Sequence, residues 1–152
     1  MDEHKSSIEL RLPSRLGFEK IAMNTAASVA HLMGFGEERI EDLKTAIAEA
    51  CINAMEHGNK FDETQLVGVI LSMSPGSLEV KVLDTGSGLP VPLDHAAIPD
   101  IDKKMHELEA ARGMGMFLIE SLVDEVEWGS SPREGSYARM VIRLHPAKPA
   151  KP

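Results

Sequence analysis

Glu49 and Asn53 stand one helical turn apart in a segment whose pattern predicts a helix from about residue 37 to residue 57. Its apolar residues cover roughly two-thirds of the helix circumference and leave a narrow polar stripe. The stripe consists of Asp42, Thr45, Glu49, Asn53 and Glu56. A solvated face would carry the same residue types, but a narrow stripe between apolar flanks is more typical of a cleft wall. Carboxylate and amide oxygens suit Mg²⁺, so Glu49 and Asn53 are candidates for contacting an ion or a substrate.

A first glycine-containing segment, Asp84 to Gly88, directly follows a predicted apolar strand. Asp and Gly are common turn residues, so a plain turn is one interpretation. The functional interpretation is that the Asp84 carboxylate accepts a hydrogen bond from the amino group of a purine. Gly86 and Gly88 would then allow the ligand to approach the backbone.

A second glycine-containing segment, Arg112 to Gly115, precedes a helix predicted over Met116 to Val123. Free N–H groups and the positive end of a helix dipole would face an anion there. Arg112 adds a forked donor that matches phosphate oxygens, beside Gly113 and Gly115. Because each motif is common alone, the functional hypothesis depends on all three occurring in this order.

With these three motifs, the chain resembles the superfamily of gyrase, heat-shock chaperone, histidine kinase and mismatch-repair ATPases, known as GHKL. Glu49 to Ala54, with Glu56 to Asn59, is similar to its N box. Asp84 to Gly88 and Arg112 to Gly115 are similar to its two glycine boxes. The resemblance extends from the first strand to about Leu144 and is greatest to the small serine kinases that act on anti-sigma-factor antagonists.

The resemblance implies binding of ATP and Mg²⁺, with Asn53 on the ion and Glu49 as the base that takes the proton of a substrate serine. It also implies Asp84 on adenine, Arg112 near the terminal phosphate and an ATP lid over residues 89–111. Ser136 stands where a threonine often completes the adenine pocket. The remaining expected nucleotide contacts are Gly86, Gly88, Gly113 and Gly115.

The same resemblance implies partners and an assembly. The substrate would be a serine of an anti-sigma-factor antagonist, the other partner a sigma factor, and the assembly a homodimer. The loop after the first glycine box departs from the family in being proline-rich, with Pro90 and Pro92. A nucleotide-binding interaction module that transfers nothing would have much the same pocket. Since only a few residues precede the first predicted strand, we expect no helix pair with a phosphoacceptor histidine, and a histidine kinase is not favoured.

Composition argues against nucleic acid as a direct partner. The chain has 152 residues and a formal net charge of -8, its 16 basic residues are scattered, and only 4% of its residues are aromatic. Cys51 is the only cysteine, which excludes an intrachain disulfide, and its position predicts core packing. No apolar run is long enough to be a signal sequence or a membrane span, so we expect a cytoplasmic protein without a membrane partner.

The remaining pattern predicts an α+β fold, a two-layer sandwich with helices on one face of a mostly antiparallel mixed sheet. Residues 8–12 alternate like a strand, and Ser14 is predicted to cap a helix that Gly34 ends. The apolar residues assigned to that helix are Leu16, Ile21, Val29 and Leu32. A hairpin is predicted over residues 66–83, and two more strands over residues 125–128 and 137–144. We expect one domain over residues 1–146 and an unpacked tail over residues 147–152.

Overall fold

A computed structural model describes residues 6–84, 114–131 and 135–144 of the chain. These ranges contain five strands, three α-helices and one π-helical turn. The strands are β1 (Ser6–Pro13), β2 (Leu66–Ser74), β3 (Ser77–Asp84), β4 (Glu125–Ser131) and β5 (Gly135–Arg143). The helices are α1 (Glu19–Met33), α2 (Glu37–Asn53) and α3 (Met114–Leu122), and the π turn, Ala54–Gly58, continues α2. Within this part of the chain, no helix has the length and apolar character needed to cross a bilayer.

The strands form one sheet in the order β1-β2-β3-β5-β4, and each described pairing is antiparallel. The β2–β3 hairpin turns at Pro75 and Gly76, where Gly76 has a φ of 78°, a left-handed conformation that favours glycine. Alternate side chains of the central strands are buried in the same core cluster as the helices. The predicted α+β fold class is therefore confirmed.

Helix α1 buries small residues at helical spacing, namely Ala22, Ala26, Val29 and Ala30. Of the apolar residues assigned to this helix, Leu16 lies before its start, and Ile21 and Leu32 are exposed rather than part of the core. Three of these four buried residues are alanines, so the buried side of α1 is made mainly of small side chains. Gly34 ends α1 as predicted, with a φ of 95°.

Ser14 does not cap α1, which begins five residues later at Glu19. Its hydroxyl is buried and donates instead to the carbonyl oxygen of Gln65, at 2.7 Å. Asn59 Nδ2 donates to the same hydroxyl at 2.9 Å and to the carbonyl oxygen of Leu66 at 3.2 Å. Ser14 thus joins the end of β1 to the start of β2 and to the residue that follows the π turn.

Helix α2 contacts both α1 and α3 and is the central helix of the layer. Its α-helical part ends at Asn53 rather than near His57, because the chain continues in the π turn. Cys51 is fully buried, as predicted, and burial raises the pKa of its thiol to about 12. Its role is therefore core packing.

Candidate functional site

The polar stripe of α2 meets the N-terminal end of α3 at Glu49 and Asn53. A Cβ placed on Gly115 would lie 2.9 Å from Glu49 Oε1 and 3.8 and 3.9 Å from the two amide atoms of Asn53. Glu49 is half-buried and Asn53 is only 8% exposed, whereas Thr45, one turn earlier, is exposed. Asp42 is half-buried like Glu49 and Glu56 is exposed, so Asn53 is the most buried residue of the stripe.

Asn53 carries an unsatisfied polar group at this position. Its Nδ2 is buried and has no hydrogen-bond partner within the described ranges. Buried polar atoms are normally satisfied, and an exception often marks a place where a ligand or an ion completes the bonding. A carboxamide offers an oxygen to a cation and N–H groups to an anion, so Asn53 suits an ion accompanied by phosphate.

Asp84 lies at the end of β3 and is 5% exposed. It continues the buried row of Val80 and Val82, so its side chain is on the helix-facing side of the sheet. Ser136 of β5 is its direct cross-strand partner, so the two side chains are on the same face. Two residues expected around a purine are therefore neighbours, although Ser136 is far from Asp84 in sequence.

Gly58 lies against Asp84, a contact that the sequence interpretation missed. A glycine just after the predicted helix end at about residue 57 is typical of a helix stop, but Gly58 does not have the positive φ that is common at such a stop. An added Cβ at Gly58 would collide with the Asp84 side chain. The signal available in the sequence was the glycine directly after Glu56 and His57, within the segment similar to an N box.

Four predicted site residues, Gly86, Gly88, Arg112 and Gly113, lie outside the described residues, as does the predicted lid at 89–111. The predicted site residues that the structure does describe form two groups on the helix-facing side of the sheet. Glu49, Asn53 and Gly115 make up one, and Asp84 and Ser136 make up the other.

The donor set fits a nucleotide with a divalent cation. The first group combines a carboxylate, a buried amide with an unsatisfied N–H and the N-terminal end of a helix, where backbone N–H groups favour anions. The second group offers a buried carboxylate that can accept from a purine amino group. Because Gly115 has no side chain, the backbone of the first turn of α3 comes close to Glu49 and Asn53.

Known proteins resemble this chain over most of its length. Residues 12–142 match the model of the histidine kinase-like ATPase domain. The serine-protein kinase RsbW of Bacillus thuringiensis (strain Al Hakam) is 33% identical over 129 residues, which are 84% of this chain and 79% of that protein. The serine-protein kinase RsbW of Bacillus cereus (strain G9842) is 32% identical over 133 residues, with the same coverage.

A solved structure has the same fold. A structure that contains the RsbU and RsbW domains of a Mycobacterium tuberculosis protein aligns with this chain with a TM-score of 0.63 at 18% identity, over 97% of this chain and 34% of that one. The chain belongs to the histidine kinase-like ATPase family and, within it, to the family of the serine-protein kinases that it matches over most of its length.

Proposed function

We propose that this chain transfers the γ-phosphoryl group of ATP to a serine of an anti-sigma-factor antagonist, with Glu49 as the general base. The observation that carries the proposal is the position of Gly115, whose lack of a side chain leaves Glu49 and Asn53 beside the N-terminal end of α3. Phosphoryl transfer needs mainly positioning and charge stabilisation, which a base beside a helix N-terminus can supply.

In the proposed step, one bond to the γ-phosphorus forms as another breaks. The serine hydroxyl gives its proton to the Glu49 carboxylate while its oxygen bonds to the γ-phosphorus. The bond between that phosphorus and the bridging oxygen breaks, and ADP leaves with the electron pair. Mg²⁺, when bound, would neutralise charge on the phosphate oxygens. The side-chain oxygen of Asn53 would be the protein ligand of that ion, and Asn53 Nδ2 would donate to a phosphate oxygen.

Nucleotide recognition is divided between the two ends of the site. Asp84 would accept a hydrogen bond from the adenine amino group, and Ser136, its cross-strand partner, would line the same pocket. Gly115 would provide a backbone N–H for phosphate. The roles of Gly86, Gly88, Gly113 and Arg112 follow from their place in the two glycine boxes.

The partners belong to the same proposal. The kinase would bind a sigma factor in one state and the antagonist in another, would act in the cytoplasm and would be a homodimer. The resemblance to the anti-sigma-factor kinases supports these points, and the net charge of -8 suits protein partners with basic contacts rather than nucleic acid.

The test is a transfer assay with ATP labelled at the γ-phosphate, Mg²⁺ and candidate antagonist proteins. We expect label on one serine of an antagonist, located by mass spectrometry, and none when that serine is replaced by alanine. A partner that binds in an ATP-dependent way but never receives label would identify an interaction module instead of a kinase.

A further inference from the structure

Gly58, the last residue of the π turn, meets the side chain of Asp84. A Cβ on Gly58 would lie 2.6 Å from the Cβ of Asp84 and closer still to its carboxylate, well inside van der Waals contact. The colliding atoms belong to a short, buried side chain at the end of a strand, so they cannot swing away as the tip of a long side chain can. Only glycine fits at position 58 while Asp84 keeps its position.

A second glycine lies against Asp84. Gly135, at the start of β5, has a φ of 78°, and a Cβ there would collide with the backbone oxygen of Asp84 and lie 3.4 Å from Oδ1. Gly135 could be required for its left-handed backbone alone, but Gly58 has no such requirement. The close approach to Asp84 is therefore the specific reason for a glycine at position 58.

The backbone after Gly58 is held in an unfavourable conformation. Lys60 and Phe61, with φ of 53° and 56°, are consecutive non-glycine residues in the left-handed region. The Phe61 N–H donates to the carbonyl oxygen of Met55 at 2.7 Å, and the buried Asn59 side chain bonds to Ser14 and Leu66. Such strain persists where the surroundings fix it, and it occurs often at functional sites, as π turns do.

We propose that Gly58 is a positioning residue for nucleotide selectivity. The π turn brings a residue without a side chain against Asp84, so that the carboxylate takes the orientation in which it accepts from the purine 6-amino group. This inference rests on the proposed assignment of Asp84 to adenine. Gly58 itself does not have to contact the nucleotide.

The first experiment measures the affinity of the full chain, with Mg²⁺, for ATP and for purine riboside triphosphate, which lacks the 6-amino group. The unmodified protein should prefer ATP by about tenfold or more, as expected for a hydrogen bond to a charged group. Gly58→Ala should bind both nucleotides with nearly equal affinity. If Gly58→Ala lowered the affinity for both nucleotides by the same factor and so kept the preference for ATP, the proposal would be overturned.

Gly68→Ala is the matched control. Gly68 is adjacent on β2 to Val67, the cross-strand partner of Asp84, and its added Cβ would make only an ordinary contact, 3.7 Å from Leu83 Cδ1. It should therefore keep the preference for ATP. Loss of the preference in this control as well would show that any disturbance of the sheet abolishes selectivity, and Gly58 would have no special role.

The second experiment remains informative if Gly58→Ala folds poorly, because it measures urea unfolding midpoints without nucleotide. Gly58→Ala should lower the midpoint in the unmodified protein but not in Asp84→Gly, which removes the atoms that collide. An equal decrease in both backgrounds would overturn the proposal. If the unmodified protein shows no preference for ATP while the unfolding result holds, the adenine assignment fails but the Gly58–Asp84 contact stands.

Discussion

Arg39 in the first turn of α2 and Asp124 after the end of α3 form an ion pair, with Arg39 Nη2 2.9 Å from Asp124 Oδ2. Arg39 Nη1 also donates to the carbonyl oxygen of Leu122, at 3.1 Å, and Asp124 Oδ2 accepts from the backbone N–H of Arg143, at 2.7 Å. The start of α2, the end of α3 and the end of β5 are thus joined. This connection fixes α3 relative to the helix that carries Glu49 and Asn53.

Replacing Arg39 with Met keeps most of the apolar stem but removes the connection. We expect the free energy of unfolding to fall by about 1 kcal/mol, since the groups are partly exposed and the hydrogen bond to Leu122 is lost with the ion pair. Urea denaturation measures the change. Lys44→Met is the control, because its i,i+3 pair with Glu41 is long, at 3.5 Å, and should contribute little. Equal losses in both variants would contradict a specific connection.

Gly115→Ala should separate catalysis from stability. The added Cβ would meet Glu49 Oε1, the tip of a flexible side chain that can move aside, and alanine is the better helix former by about 0.5–1 kcal/mol. We therefore expect unchanged or higher stability together with slower phosphoryl transfer, measured in single turnover. When Glu49 is already Gln, the same substitution should cause little further loss. A full further loss would mean that Gly115 acts independently of Glu49.

Asn53→Ala tests the ion site. Asn53 Nδ2 makes no hydrogen bond within the described residues, so the substitution breaks none at that atom. The free energy of unfolding without nucleotide should therefore not fall by the roughly 1–3 kcal/mol that breaking a buried hydrogen bond causes. The increase in ATP affinity that Mg²⁺ gives should disappear. Calorimetry with Mg²⁺ and with EDTA measures both affinities, and an unchanged ratio between them would remove Asn53 from the ion site.

His31 and Glu37 connect α1 to α2 in a pH-dependent way. His31 Nε2 lies 2.8 Å from Glu37 Oε2, and the pKa of His31 is raised, chiefly by this hydrogen bond and then by the one to the Ala27 carbonyl. Because the folded-state pKa is raised, the stabilisation is complete below the unfolded value of about 6.5 and is lost as the pH rises through the folded value.

The corresponding measurement is the thermal unfolding midpoint of the unmodified protein and of His31→Asn. The difference between them should be larger near about pH 5.5 than near about pH 8.5. Both groups are exposed, so the difference should be small and should decrease with salt. In a Glu37→Gln background, the pH dependence of the difference should shrink to the part due to the Ala27 carbonyl, and an undiminished pH dependence would assign the effect to another group.

Local sequence patterns predicted most of the fold. The alternation in β1, the turn formers Pro75 and Gly76, and the glycine that ends α1 act over a few residues, so their effects can be recognised along the chain. The E-x-x-x-N spacing correctly placed Glu49 and Asn53 on one face because both residues lie within α2.

Errors arose where distant residues determine the conformation. Ser14 could cap a helix locally, but Gln65 and Asn59 bind its hydroxyl instead. The π turn lies against Asp84 of β3 through Gly58, and Asn59, which follows it, bonds to Ser14 and Leu66. These distant contacts are not visible in the local sequence, which predicted a continuing α-helix. In α1, the buried positions are mostly alanines, whereas the assigned Ile21 and Leu32 are exposed.

Glu49→Gln tests the central claim most directly, because it keeps side-chain size and helix propensity while removing the base. The measurement combines the single-turnover rate of phosphoryl transfer to an antagonist serine with ATP affinity by calorimetry. We expect the rate to fall by about 10²–10⁴-fold while the affinity stays within about threefold. An unchanged transfer rate, or an equal loss of rate and affinity, would contradict the assignment of Glu49 as the general base.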